Sequence, residues 1–111
     1  VPEDDPNAET LAKSRAILES QGVEVVDFPH MSGFMAGENY IIAPYMNFYI
    51  CNGAVIMPHA GENPEEDAAA QAALQSHFPD REVISIQIRA APMQGGAIHC
   101  LTQQMPAVAS A

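Results

Sequence analysis

The sequence predicts an α/β fold, and three observations support this prediction. Two segments, at about 8–21 and 64–78, carry the residue spacing and the end signals of helices. Three segments, at 23–26, 46–58 and 82–88, have the composition or the alternation of strands. Helices and strands mixed in this order along one chain are typical of α/β layers. The length, 111 residues, is that of one small domain.

The first helix is predicted to begin after Asn7, which can cap it, and to end at Gly22. Residues 1–6 are acidic and contain two prolines, so they are interpreted as a loosely ordered terminus. Residues 7–111 are then interpreted as a single domain. The stripe of the first helix consists of Ala8, Leu11, Arg15 and Leu18.

A hairpin is the strongest local prediction. Residues 27–39 are rich in Gly, Pro, Ser and Asn and indicate a loop. The strand-like runs 46–51 and 54–58 then flank Asn52 and Gly53. An Asn-Gly pair between two β-rich runs is typical of a tight hairpin turn.

The second helix has a strong start signal. Asn63 can cap it, Pro64 suits its first position, and Glu66 completes an N-x-x-E capping box. The strand 82–88 follows, because Val83, Ser85 and Gln87 alternate there with three isoleucines. The chain then closes with a glycine loop.

Charge and composition exclude several classes of partner. The formal net charge is −10, from 14 acidic and 4 basic residues. So few basic groups do not favour nucleic acid or an anionic membrane surface. A small cationic compound suits this field, although plain solubility is the favoured explanation of the charge taken by itself. No stretch approaches the roughly 20 apolar residues of a membrane span.

The two cysteines, Cys51 and Cys100, are too few for a disulfide scaffold, which favours a reducing compartment such as the cytoplasm. Cys100 follows Gly95 and Gly96 in GGAIHC, where a thiol could be presented at a pocket as a nucleophile. The alternative is a small buried apolar side chain. Neighbouring side chains in an extended segment point to opposite faces, so His99 is not expected to be the base for Cys100.

The remaining polar side chains have simpler interpretations. Cys51 is expected to be a packed core thiol. Asn47 enters a strand, where a turn or edge hydrogen bond explains it. The histidines are not at metal-ligand spacings, so no metal site is expected. These histidines are His30, His59 and His77. Three acidic residues, Glu65, Glu66 and Asp67, are interpreted as charges that stabilise the start of the second helix rather than as catalytic groups.

Three stretches together resemble one family. YMNFYICNGAVIMP (45–58), FPDREVISI (78–86) and GGAIHCLTQQMP (95–106) are similar, in this order, to segments of agmatine deiminases and Porphyromonas-type peptidyl-arginine deiminases. The resemblance covers roughly residues 40–106. It implies part of a pentein, an α/β propeller of αββαβ-type modules, with about two of the family's five modules present.

The resemblance also implies a chemistry without a cofactor. Family members hydrolyse a guanidino group to a ureido group, as in agmatine to N-carbamoylputrescine plus ammonia, on a route to putrescine. Cys100 matches the nucleophile, and Asn47, Gly95 and Gly96 are expected to line the substrate. The family's usual Gly or Asn is replaced by Ala97.

The resemblance does not extend to the family's catalytic His and its carboxylates. One hypothesis is therefore the nucleophile-bearing part of a deiminase, completed by a homo-oligomer or by a missing deiminase half. The alternative is a non-catalytic oligomeric module derived from one. In both cases self-association is expected, because an opened propeller exposes apolar faces and sheet edges.

Overall fold

Helices and strands are mixed along the chain in this computed structural model, which describes residues 3–29, 33–42 and 44–109. The α/β class is confirmed. The chain divides into two compact units, Val1–His30 and Met31–Ala111. The single domain over 7–111 and the loosely ordered terminus over 1–6 stay predictions, and residues 1–2 lie outside the described part. The elements are α1 (Ala8–Ser20), β1 (Phe34–Ala36), β2 (Asn39–Ile41), β3 (Tyr49–Cys51), β4 (Ala54–His59), α2 (Pro64–His77), β5 (Glu82–Gln87), α3 (Ala90–Met93) and a 3-10 turn (His99–Leu101).

The start of α1 differs from the prediction. Asn7 has the helical backbone angles φ −95° and ψ −5°, and its side chain accepts no capping hydrogen bond, so the prediction that it caps the helix is wrong. A capping side chain reaches back to the helix from an extended backbone, and Asn7 is already helical. Asp5 accepts a hydrogen bond from Asn7 N–H on Oδ1 at 2.7 Å instead.

The end of α1 is confirmed at Gly22, which takes a positive φ of 78°. Gly22 N–H donates to Glu19 O at 3.0 Å, and Val23 N–H donates to Leu18 O at 3.1 Å. This pair of bonds is a Schellman motif, and a glycine at its centre costs least because it lacks a Cβ.

The strand predicted at 23–26 is wrong, since residues 23–29 have no regular secondary structure. A strand needs a partner for its backbone groups, and the described part of this unit contains no other strand. The backbone of Val25 instead accepts a hydrogen bond from the Arg15 guanidinium at 3.0 Å.

The loop predicted at 27–39 is also partly wrong, because β1 and β2 pair as an antiparallel hairpin, with Phe34 opposite Ile41. Gly37 takes a φ of 64° in its turn. Phe34 is buried beneath the Arg89 guanidinium, which lies 4.5 Å from the ring centroid. Strands of three residues are too short to show an alternating pattern among so many turn residues.

The predicted Asn-Gly hairpin is confirmed. Strands β3 and β4 pair antiparallel, with Cys51 opposite Ala54 across a two-residue turn. Gly53 supplies a φ of 73° in that turn. Strand β3 is shorter than the predicted run 46–51, since residues 46–48 precede it in a turn and an irregular segment.

The second predicted helix is confirmed with its cap. The Asn63 side chain accepts hydrogen bonds from the backbone N–H groups of Glu65 and Glu66, and Pro64 occupies the first position. Helix α2 connects β4 to β5, which pair in parallel. The strand predicted at 82–88 is therefore confirmed as β5, the third strand of the sheet order β3-β4-β5.

One face of this sheet packs beneath α2. Its buried residues are Val55, Met57 and Val83 from the sheet and Ala70 and Leu74 from the helix. The other face carries Ile84 and Ile86, which remain 38% and 43% exposed. Among the described residues, no helix is both long and apolar enough to cross a membrane.

Candidate active site

Cys100 lies in the 3-10 turn that follows α3, with a free and exposed thiol. The closing glycine loop therefore contains two short helical turns that were not predicted. Helices of four and three residues carry too few positions for a periodic pattern. The alternative that Cys100 is a small buried apolar side chain is wrong, because the residue is exposed.

His99 also differs from its expected setting. It is in a 3-10 turn rather than an extended segment, so the argument from opposite faces does not apply. Its ring nitrogen Nε2 lies 3.3 Å from Gln104 Nε2. The His99 backbone N–H donates to Asn47 O at 3.0 Å.

Asn47 and Cys100, two of the predicted site residues, are in direct contact although 53 positions separate them. Asn47 Nδ2 donates to Cys100 Sγ at 2.9 Å. Asn47 Oδ1 accepts a hydrogen bond from Cys100 N–H at 3.1 Å. Asn47 ends a turn in which its own N–H donates to Pro44 O at 3.0 Å. One amide thus holds both the sulfur and the backbone of the cysteine.

The hydrogen bonds at the sulfur lower the pKa of the Cys100 thiol. The largest contribution is the Asn47 side-chain N–H, followed by the backbone N–H of Ala97. Both donors stabilise the negative thiolate more than the neutral thiol. Partial desolvation acts in the opposite direction and is smaller than the Asn47 contribution. Ala97 itself is fully buried.

Gly95 and Gly96 support this arrangement in different ways. Gly95 has a φ of 81°, where side chains are strained, and a Cβ there would contact nothing within 4 Å. A Cβ on Gly96 would lie 3.0 Å from Cys100 Cβ and 3.4 Å from Sγ. The structure therefore shows Gly96 making room for the cysteine side chain itself.

A polar cluster of Tyr45, His59 and Asp67, which sequence reasoning missed, lies beside the turn that ends at Asn47. Tyr45 Oη donates to Asp67 Oδ1 at 2.7 Å. Asp67 Oδ2 lies 3.1 Å from His59 Nδ1. Burial of Tyr45, and then its bond to Asp67, raise the pKa of its hydroxyl well above the usual range. Tyr45, His59 and Asp67 form what we call the Asp67 cluster.

In hindsight, the sequence contains a signal for the inward position of Asp67, although not for its partners. Asp67 precedes the buried Ala70 and Leu74 of α2 by three and seven positions, so it lies on the inward face of the helix. Asp67 is in the first turn, as predicted, but it also contacts the buried Tyr45 and the half-buried His59, which a simple helix-start charge does not need.

The other polar side chains singled out from the sequence lie apart from these contacts. Cys51 is half-buried rather than fully packed in the core, and its Sγ donates to Ala54 O at 3.5 Å. His77 is exposed in the last turn of α2, and His30 lies outside the described residues. Within the part of the chain that the structure describes, no group of three or more His, Cys, Asp or Glu side chains could hold a metal ion.

Comparison with known proteins gives a consistent result. Agmatine deiminase of Medicago truncatula is 45% identical over 69 residues, which are 61% of this chain and 18% of that protein. A Porphyromonas gingivalis structure, provisionally described as an arginine deiminase, superposes with a TM-score of 0.82 at 33% identity, over 96% of this chain and 32% of that one. Agmatine deiminase of Enterococcus faecalis superposes with a TM-score of 0.77 at 27% identity, over 96% of this chain and 35% of that one.

This chain spans 18% and 23% of the lengths of two curated relatives that it matches, from Selenomonas ruminantium and Latilactobacillus sakei. The family model of Porphyromonas-type peptidyl-arginine deiminases matches residues 2–106. That match covers nearly the whole chain and all three motifs identified in the sequence. The chain therefore belongs to the Porphyromonas-type peptidyl-arginine deiminase family.

Proposed function

We propose that this chain is the nucleophile-bearing part of a guanidine-modifying hydrolase that converts agmatine to N-carbamoylputrescine and ammonia. The observation that carries the proposal is the contact of Asn47 with Cys100, in which an amide N–H lies 2.9 Å from the sulfur. A thiolate is the nucleophilic form of cysteine, and hydrogen-bond donors favour it. An exposed thiol held this way has access to a substrate and a lowered pKa.

In the proposed reaction, the Cys100 thiolate attacks the guanidinium carbon and forms a C–S bond. The C–N bond to one terminal nitrogen then breaks, and that nitrogen takes up a proton and leaves as ammonia. Water adds to the carbon of the resulting amidino-thioether. The C–S bond breaks, which returns the thiolate and releases the ureido product. No electrons are gained or lost overall, so the reaction needs no redox cofactor.

The chain is proposed to be incomplete as a catalyst. The hydrogen-bond donors that lower the pKa of the sulfur are the side-chain amide of Asn47 and the backbone amides of Ala97 and Cys100, and an amide cannot transfer the protons that the reaction requires. A general acid or base must come within hydrogen-bond reach of the reacting atoms. We propose that the base and the carboxylates that bind the guanidinium come from the rest of a deiminase, whether in a longer chain or in a partner.

The substrate class follows from the charge of the chain and from its relatives. A formal net charge of −10 attracts a small cation such as agmatine or an arginine side chain. The named relatives include agmatine deiminases from Medicago truncatula and Enterococcus faecalis, which favours agmatine over peptidyl-arginine. Free thiols at Cys51 and Cys100 are consistent with a reducing compartment, and we propose the cytoplasm.

The fold and assembly of the complete deiminase are part of the same proposal. The order β3-β4-α2-β5, with one antiparallel and one parallel pairing, fits one module of a pentein, and about two of five modules are proposed here. The exposed isoleucines Ile84 and Ile86 on the sheet face opposite α2 favour self-association or docking to the remaining modules. The same observation favours the second candidate function, a non-catalytic oligomeric module.

Covalent capture of agmatine tests the catalytic proposal. The chain with Cys51→Ser is incubated with agmatine, quenched in acid and analysed by intact mass spectrometry, while ammonia release is followed in parallel. Putrescine, which lacks the guanidino group, is the matched control ligand, and Cys100→Ser is the matched control protein.

We expect an agmatine-dependent mass increase on Cys100, or protection of Cys100 from alkylation, that putrescine and Cys100→Ser do not show. One equivalent of ammonia should accompany each Cys100 adduct, because the C–N bond breaks as the amidino-thioether forms, and ammonia release beyond one equivalent is expected only when the remaining modules are supplied. If agmatine and putrescine leave Cys100 equally reactive even with those modules present, the catalytic proposal fails and the oligomeric module is favoured.

A further inference from the structure

We propose that Asp67 is a positioning residue for Cys100 and acts through Tyr45 and the turn that ends at Asn47. The proposal rests on the proposed role of Cys100 as the nucleophile. It assigns a role to the Asp67 cluster, in which Asp67 accepts a hydrogen bond from Tyr45 and contacts His59.

The first step of the argument is that Asp67 joins three parts of the fold. The residue lies in the first turn of α2, where its N–H donates to Asn63 O at 3.0 Å. Its Oδ1 accepts from Tyr45 Oη at 2.7 Å, and its Oδ2 lies 3.1 Å from His59 Nδ1 at the end of β4. Both carboxylate oxygens are therefore engaged, and each holds a different segment.

The second step is burial. Tyr45 is 2% exposed, and the side chains of Asp67 and His59 are 14% and 21% exposed. Water therefore competes weakly for these hydrogen bonds, so their loss is costly and their geometry is well defined. The raised pKa of Tyr45, which reflects its burial, Asp67 and the nearby charge of Glu66, keeps its hydroxyl protonated and able to donate.

The third step connects the cluster to the sulfur. Tyr45 precedes Asn47 by two positions in a turn that Asn47 N–H closes onto Pro44 O. A displacement of the Tyr45 ring therefore moves the backbone that carries the Asn47 amide. That amide donates to Cys100 Sγ at 2.9 Å, and hydrogen bonds weaken steeply as their distance and angle depart from the optimum. The donor at the sulfur thus depends on where Asp67 holds Tyr45.

Two variants test this chain of contacts by the pH dependence of Cys100 alkylation, in the Cys51→Ser background. Tyr45→Phe removes one oxygen atom and keeps the buried ring, and Asp67→Asn neutralises the carboxylate. We expect both to shift the alkylation midpoint to higher pH and to slow alkylation at pH 7 by about threefold. Glu65→Gln is the matched control, because it removes an exposed charge from the same helix turn, and its profile should stay unchanged.

A double variant separates positioning from general destabilisation. In an Asn47→Ser background the sulfur has lost its side-chain amide donor, so adding Tyr45→Phe should cause no further shift of the alkylation midpoint. The proposal is overturned if Tyr45→Phe lowers the melting temperature but leaves the midpoint at the wild-type pH. It is also overturned if the shifts of the double variant simply add.

These measurements need no substrate, so their outcome is distinguishable from that of the proposed function. If agmatine does not react even with the remaining modules supplied, the proposed hydrolase is overturned. A shift of the Cys100 alkylation midpoint in Tyr45→Phe that disappears in the Asn47→Ser background would still support Asp67 as the positioning residue. If Asp67→Asn does not fold, Tyr45→Phe decides alone, because it preserves the packing of the ring.

Discussion

The amide of Asn47 holds Cys100 by two hydrogen bonds, one donated to Sγ and one accepted from the backbone N–H. The two bonds fix both the position of the thiol and its electrostatic surroundings, because the same planar group makes them. The two residues come from different segments of the chain. Asn47 ends a turn before β3, and Cys100 lies in a 3-10 turn near the end of the chain, so the contact depends on the packing of these segments against each other.

The first prediction concerns the ionisation of the thiol. The pKa of Cys100 is lowered by the Asn47 and Ala97 donors, so its alkylation by iodoacetamide should reach half its maximal rate below the pH of a free cysteine peptide, about 8.5. The associated stability is present above the unfolded-state pKa and is lost as the pH falls through the folded-state pKa. A midpoint equal to that of the peptide would contradict the structure.

The second prediction isolates the side-chain donor. Asn47→Asp keeps an oxygen for Cys100 N–H but replaces the amide N–H with a negatively charged oxygen next to the sulfur. Alkylation at pH 7 should slow on the order of threefold to tenfold, since the pair is exposed and partly screened. Asn52→Asp, which adds the same charge in the β3–β4 turn, is the control and should react at the wild-type rate.

The third prediction separates the two glycines. Gly96→Ala would place a methyl group 3.0 Å from Cys100 Cβ, so it should alter the rate of Cys100 alkylation by displacing the thiol. Gly95→Ala meets no neighbouring atom but is strained at a φ of 81°, which should lower the free energy of unfolding by about 1 kcal/mol. Urea unfolding and alkylation rates measured on both variants check this. Identical effects of the two substitutions would show that neither assignment holds.

The fourth prediction tests the cap of α2. Asn63→Ala removes the oxygen that accepts from the N–H groups of Glu65 and Glu66, and should lower the free energy of unfolding by about 1 kcal/mol. Asn63→Ser keeps a capping oxygen, so it should lower the free energy of unfolding much less than Asn63→Ala does. Chemical denaturation of the three proteins gives the comparison, and equal stability of the Ala and Ser variants would argue against a capping role.

The fifth prediction concerns the exposed sheet face. If Ile84 and Ile86 support association, replacing both with Gln should lower the average mass in sedimentation at micromolar concentration without loss of folded structure. Valine at the same two positions keeps an apolar face and serves as the control. A wild-type chain that sediments as a monomer over this range would remove the basis for the association proposal.

Local signals in the sequence predicted some elements well. The Asn-Gly turn before Ala54 and the Asn63-Pro64 helix start each depend on two or three adjacent residues, and both are confirmed. The strand at 23–26 was wrong because its residues have strand propensity but no partner in the described part of their unit. The hairpin of β1 and β2 was missed because each strand has only three residues.

The residues of the candidate site were identified from sequence one at a time. Cys100 and Asn47 lie in motifs shared with the deiminase family. The residues around each of them do not indicate that the two side chains are in contact, because 53 positions separate them in the sequence. The Asp67 cluster could not be predicted as a unit, because its three members lie in a turn, a strand and a helix that only the packed sheet brings together.

The sequence by itself determined the α/β class, the hairpin, the capped helix and the family of this protein, because these depend on short runs of residues whose chemistry acts locally. The tertiary structure alone decided that Asn47 donates to the Cys100 sulfur and that Gly96 leaves room for it. It also decided that Asp67 contacts both Tyr45 and His59. Hydrogen bonds of this kind form only between groups within about 3 Å, and the distance between segments far apart in sequence is set by the packing of the whole core.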